Sequence, residues 1–141
     1  MTLPAATRNL ATLVAHAAHD LGGINPVLVD VTSKLALADA FVVVSAPTDR
    51  QVRAIAEDIM DRVWANGGRR PAHIEGRSEG VWVLLDYSDL LVHVLLDGER
   101  EFYALERLWG DCPAVPIEVD TEEARAAAVA RAAAHGAEGR Q

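Results

Sequence analysis

Residues 82–111 read WVLLDYSDLLVHVLLDGEREFYALERLWGD, and the first half of this stretch decides the fold. Two apolar runs, 82–85 and 90–96, flank the polar tetrad Asp86-Tyr87-Ser88-Asp89, the pattern of two strands joined by a turn. A two-residue turn at Tyr87-Ser88 sets Asp86 opposite Asp89, Leu84 opposite Leu91 and Trp82 opposite His93, because residues on one sheet face recur with period two. One face then carries an aromatic ring, an imidazole and two carboxylates. Like charges directly opposite one another destabilise a strand pair, so the aspartates need solvent, a hydrogen-bond donor or a basic partner.

Downstream of the hairpin, Phe102, Leu105 and Leu108, with Tyr103 and Glu106 beside them, predict a short helix running up to Trp109, beyond which Pro113 and Pro116 break regular structure. Upstream, 71–75 predicts a weak strand and Gly76-Arg77-Ser78-Glu79-Gly80 a polar turn into the hairpin. Before these, Thr48 and Gln51 have capping-box spacing, and Val52, Ile55, Ala56, Ile59, Met60, Val63 and Trp64 form one stripe of a helix of about five turns that Asn66-Gly67-Gly68 ends. Trp64 is read as core or helix-end packing. The run Asp39-Ala40-Phe41-Val42-Val43-Val44-Ser45 is apolar without alternation, as in a central strand covered on both faces. Residues 26–31 predict a further strand with its proline at the start, and 32–38 a turn into the sheet with room for one helical turn. Leu10, Leu13, Val14, Ala17 and Leu21 predict a helix over 7–21 with Thr7 as its N-cap and Gly22-Gly23 as its stop. The resulting order implies an α/β fold: a single domain whose mixed sheet of about five strands is flanked by helices.

The length of 141 residues fits one domain, since domains run to roughly 150 residues each. A formal net charge of −8 disfavours nonspecific binding to nucleic acid or to an anionic membrane, both of which draw on clustered Lys and Arg. A basic protein partner is permitted. With Cys112 as the one cysteine there is no intramolecular disulfide, and no apolar run approaches the roughly 18 residues of a membrane span; together these lead to the expectation of a soluble cytoplasmic protein. From 117 onward an Ala/Arg-rich tail opens on an Asp120/Glu123 capping box but carries few large apolar groups. It is expected to be a mobile or loosely helical appendage to a domain over 1–116, dispensable for that domain's activity.

Chemistry-bearing motifs are sparse. No GxxxxGK, GxGxxG or GxSxG pattern occurs. His16 and His19 lie one turn apart but lack further ligands at metal-site spacing, and are read as solvated surface histidines. Neither a metal nor a cofactor is expected. Asp86, Asp89 and His93 are the candidates for an alternative reading as a nucleotidyltransferase-like enzyme or nucleotide binder, but the carboxylates bracket a turn with no phosphate-binding loop before them. The same stretch makes better sense as a docking surface: seven acidic residues stand against Arg100 and Arg107 over 82–111, interspersed with Trp82, Tyr87, Phe102, Tyr103 and Trp109. Aromatic anchors within an acidic rim select a basic partner and speed its approach. The run 90–96 is apolar on both faces, so Leu91 and Leu95, or else Val92 and Val94, are expected to form a patch that a symmetric dimer buries.

Several of these motifs together resemble the ribosomal silencing factor, or iojap-like, family. They are Asp39-Ala40-Phe41-Val42-Val43-Val44-Ser45, Arg50-Gln51-Val52 with Ala54-Ile55-Ala56, and Glu75-Gly76. To these add Trp82-x-x-x-Asp86-x-x-Asp89-x-x-Val92-His93 and Arg100-x-x-Tyr103-x-Leu105-Glu106-x-Leu108-Trp109. The resemblance runs in order over roughly 7–111. It implies a domain shaped like a nucleotidyltransferase without the catalytic motif, and therefore no enzyme. It also implies a translational repressor that binds the large ribosomal subunit through its fourteenth protein and blocks joining of the small subunit under nutrient limitation. On this reading Trp82, Asp86, Asp89, His93, Arg100, Tyr103, Glu106 and Trp109 are partner-binding, and a homodimer uses Leu91, Val92 and Leu95.

Overall fold

The computed structural model describes residues 3–32, 38–103 and 114–115. Helix α1 (Ala5–Asp20) leads into strand β1 (Ile24–Asp30) and, after a connection, β2 (Ala40–Ala46); helix α2 (Asp49–Gly67) follows, then β3 (His73–Glu75), β4 (Trp82–Asp86), β5 (Leu90–Leu96), α3 (Asp97–Tyr103) and β6 (Ala114–Val115). The strands form one sheet in the order β3-β4-β5-β2-β1-β6. The β2–β5 pair is parallel and every other pair is antiparallel, giving the mixed α/β sheet that the element order implied.

Strand β2 is buried along its whole length, as its unbroken apolar run requires. On one face, Leu28, Val42, Val44, Val83, Leu85, Val92 and Val94 pack against Leu10, Leu13, Val14 and Ala17 of α1 and against Val52, Ile55, Ala56, Ile59 and Val63 of α2. On the other face lies a smaller cluster of Val29, Val31 and Phe41 with Val27 and Leu91 beside it. The period-two alternation of β4 and β5 therefore has a clear meaning: Val83, Leu85, Val92 and Val94 point to the helices, while Trp82, Leu84, Leu91 and His93 occupy the opposite face.

Helix α2 begins as its sequence dictates, with the Thr48 hydroxyl accepting from the Gln51 N–H at 3.1 Å, and it ends on Gly68 in the left-handed conformation. The Gln51 side chain does not close the capping box; it donates to the Leu21 carbonyl at 3.2 Å and so ties α2 to the end of α1.

Several expectations are corrected. Helix α1 starts at Ala5 after Pro4, so Thr7 is not its N-cap but a buried residue inside the first turns. His16 is buried in α1, whereas His19 is exposed as expected. Pro26 sits third in β1, where the register shift between Ile24 and Val27 spares it a ladder hydrogen bond. The stretch between Pro113 and Pro116 is not irregular throughout: Ala114 and Val115 pair with Val29 and Leu28 as a two-residue edge strand, which makes the sheet six-stranded. Tyr87 is buried in the main core rather than displayed. The turn at 33–37, the remainder of the helix up to Trp109, and the tail lie outside the described residues.

The hairpin register also differs. Asp86 pairs with Leu91, Leu84 with His93 and Trp82 with Leu95, a slip of two residues from the two-residue turn. A slip of two keeps every side chain on its face, so Trp82 and His93 remain neighbours, now diagonally. The loop is wider because Asp86 accepts the Ser88 N–H at 2.8 Å, Ser88 takes a φ of 76°, and Asp89 is drawn away from Asp86. The Asp89 carboxylate accepts from Arg69 Nη2 at 2.7 Å and from the Thr7 hydroxyl at 2.9 Å, while its carbonyl accepts the Asp39 N–H at 2.8 Å. Each aspartate has thus found the donor or basic partner that their like charge demanded. Replacing Asp89 by Ala strips a charge-assisted contact from Arg69 and should cost about 2 kcal/mol of unfolding free energy in urea titration, whereas an unchanged midpoint would make the network idle.

Candidate functional site

The sheet face turned away from α1 and α2 carries Trp82 and His93 of the 82–111 stretch. On β4, Trp82 is half-buried, and its indole Nε1–H donates to His93 Nδ1 at 3.1 Å. The imidazole lies edge-on to Phe41 of β2, with ring centroids 5.2 Å apart, and to Trp82, with centroids 6.0 Å apart. Three neighbouring strands thus place Phe41, His93 and Trp82 in one row, and Leu84 and Leu91 extend the apolar surface around it. Since an indole nitrogen can only donate, His93 Nδ1 must be unprotonated and the proton of the neutral ring resides on Nε2. That nitrogen has neither accessible surface nor an acceptor among the described residues. Burial pushes the His93 pKa down from 6.5 to about 4, so the ring is neutral at physiological pH.

The other sequence candidates divide by what they touch. Asp86 is half-buried at the hairpin mouth, holding the Ser88 N–H. Asp89 belongs to the Arg69–Thr7 network, where Arg69 also donates to the Tyr87 carbonyl at 2.6 Å and lies over the Tyr87 ring. Arg100 is buried; it donates to the carbonyls of Ile24 and Asn25, each at 2.8 Å, and to Ser45 Oγ at 3.3 Å, pinning the start of β1 to the end of β2. Tyr103 is the last residue of α3, while Glu106 and Trp109 lie outside the described residues. Of the residues assigned to a dimer patch, Val92 is in the core beneath the helices and Leu95 is fully buried, so Leu91 alone retains accessible surface. The alternative catalytic set does not converge: Asp86 caps a turn, Asp89 neutralises Arg69, and His93 faces Trp82.

One surface feature was missed from sequence. Trp64 is 48% exposed rather than core, and the Arg70 guanidinium stacks over its ring at 4.1 Å. Together with Met60 and Ile74 they line an open groove of about 350 Å³ beside the edge strand β3, walled by Glu57 and Arg77. The signal was Trp64 at the margin of the α2 stripe, followed by Arg69-Arg70. Among the described residues no group of three or more His, Cys, Asp or Glu side chains is placed to hold a metal, and no helix is long and apolar enough to cross a membrane.

Because His93 is neutral in the folded chain and titrates near 6.5 when unfolded, the unfolded state binds the extra proton between those values. Stability should therefore fall as pH drops from 6.5 to about 4, by roughly 3 kcal/mol from this residue, and no further below that. Comparing urea midpoints of the wild type and His93→Leu across this range isolates the effect: the two profiles should diverge with acidification, and parallel profiles would contradict the buried neutral ring.

Over residues 4–141 the chain matches the family model described as ribosomal silencing factor during starvation. It is 34% identical over 111 residues to the ribosomal silencing factor RsfS of Bacillus subtilis, covering 79% of this chain and 93% of that protein. To the protein of the same name from Zymomonas mobilis it is 36% identical over 101 residues, covering 72% and 75%. Protein Iojap, chloroplastic, from Zea mays is 30% identical over 88 residues, which span 58% of this chain and 35% of that longer protein. Among solved structures, protein CV0518 from Chromobacterium violaceum superposes with a TM-score of 0.70 at 28% identity, covering 82% of this chain and 96% of that one. A Bacillus halodurans protein superposes with a TM-score of 0.67 at 30% identity, covering 78% and 99%. Motif order, fold and sequence likeness agree, and the chain belongs to the ribosomal silencing factor family.

Proposed function

We propose that this protein is a cytoplasmic translational repressor that docks on the large ribosomal subunit, through that subunit's fourteenth protein, and keeps the small subunit from joining when nutrients are short. The observation that carries the reading is the half-buried Trp82, held by His93 on the sheet face that neither long helix covers. A rigid aromatic ring with an apolar surround is the usual form of an interface anchor. The acidic balance of the chain suits a basic ribosomal surface and speeds encounter with it. In this proposal Trp82 and Asp86 form the described part of the contact with His93 behind Trp82, and Tyr103, Glu106 and Trp109 are assigned to it from the sequence. Asp89 and Arg100 hold the backbone that presents it. The protein acts by occupying a surface rather than by catalysis, consistent with the separate engagements of Asp86, Asp89 and His93.

A homodimer is part of the same proposal, with Leu91 as its one accessible contact among the residues assigned to it. Sedimentation equilibrium reads this directly, and a monomer at every accessible concentration would remove the dimer from the account.

Sucrose-gradient sedimentation tests the repressor reading. Added to purified subunits, the protein should shift material from joined ribosomes to free subunits, and Trp82→Ala should weaken large-subunit binding by at least tenfold, roughly 1.4 kcal/mol, with little change in thermal midpoint. Joined ribosomes that persist at saturating protein would contradict the proposed function.

A further inference from the structure

His93 is a described polar group that makes little sense as a stabilising one. It stands in the middle of an apolar sheet face, between Val43 and Leu84 on the neighbouring strands, with Phe41 against its edge. One nitrogen accepts a hydrogen bond from Trp82, and the other is enclosed with no acceptor among the described residues. A buried donor left unmade costs stability, and an aliphatic residue of similar size at this position avoids that cost. Conformational restriction is what the contact does supply. An indole on a flat sheet has several staggered rotamers, and the hydrogen bond to a ring locked between two strands selects one of them.

Resting on the docking role proposed above, we infer that His93 is a positioning residue: by accepting the Trp82 indole N–H at Nδ1, it fixes the ring before the partner arrives, so that the partner meets an already ordered carbon surface. The indole N–H is spent internally, so recognition at Trp82 is by apolar contact and shape rather than by a hydrogen bond to the indole. Ordering a large side chain in advance removes that part of the entropic cost from the binding step. Polarity at position 93 thus serves docking at the expense of the free fold.

Two substitutions separate this role from a structural one. His93→Leu keeps the volume and removes the acceptor; His93→Asn places a carbonyl oxygen near the position of Nδ1. Each full-length variant is compared with the wild type for thermal midpoint, for affinity to purified large subunits, and for the Trp82 indole ¹H–¹⁵N resonance of the free protein, assigned through Trp82→Phe. The expected result is a resolved, slowly exchanging wild-type indole signal that exchanges fast in His93→Leu. That variant should melt at or above the wild-type midpoint yet bind large subunits about fivefold to tenfold more weakly, while His93→Asn recovers most of the affinity. The inference is overturned if His93→Leu binds as tightly as the wild type, if its binding loss only tracks a fall in midpoint, or if His93→Asn binds no better than His93→Leu. Wild-type protein that fails to bind large subunits overturns the docking reading instead, and the indole resonance still reports whether His93 holds the ring.

Discussion

The structure depends on one parallel strand pair, β2 with β5, set among antiparallel neighbours, and that pair is anchored at its start by Asp89. The Asp89 carbonyl accepts the Asp39 N–H where the two strands begin, while its carboxylate draws in Arg69 from the segment after α2 and Thr7 from α1. Four segments distant in sequence therefore meet on one residue. Parallel strands cannot be joined by a tight turn, and α2 with the β3–β4 segment makes the crossover from β2 to β5. Arg69 is the point at which the chain leaving α2 is tied back to the strand it must eventually meet. The hairpin loop widens to bring Asp89 into this arrangement, and its position in turn sets the register that leaves Trp82 beside His93.

This constraint explains which parts of the molecule were legible in the sequence. Strand β2 and helix α2 were, because an unbroken apolar run and a capped 3.6-period stripe are local signals with few alternative solutions. The hairpin was legible as a hairpin, and the faces of its side chains were too, since the error of register was even. The register itself was not, because it depends on Arg69 and Thr7, which no pattern near residue 89 announces. Thr7 looked like a cap for the same reason: its hydroxyl serves a contact 82 residues away. His16 was read as a surface residue because two histidines one turn apart look solvated, yet α1 packs against both α2 and the sheet, and the two part, one buried and one exposed. Tyr87 sat in a polar loop but turned inward beneath Arg69.

The candidate site was legible in its members more than in their roles. Residues that sequence grouped as one docking set separate in space into those that face outward and those that hold the framework. Arg100, which reads as a charged contact in a helix, fastens β1 to β2 through carbonyls of Ile24 and Asn25. Trp82 and His93, by contrast, are joined to one another by a hydrogen bond across β4 and β5. The sheet face they occupy is opposite the one on which α1 and α2 pack, which leaves the exposed Trp64 of α2 on the other side of the molecule's main layer.

That opposition offers the most direct test of the docking account. A photoreactive phenylalanine analogue is placed in separate proteins at Leu84, on the Trp82 face, and at Trp64, on α2, and each is irradiated in complex with large ribosomal subunits. The account predicts a crosslink to a ribosomal protein from position 84 and none from position 64. Crosslinking from position 64 with none from position 84 would place the partner on the helical side and contradict the assignment of the Trp82–His93 face as the docking surface.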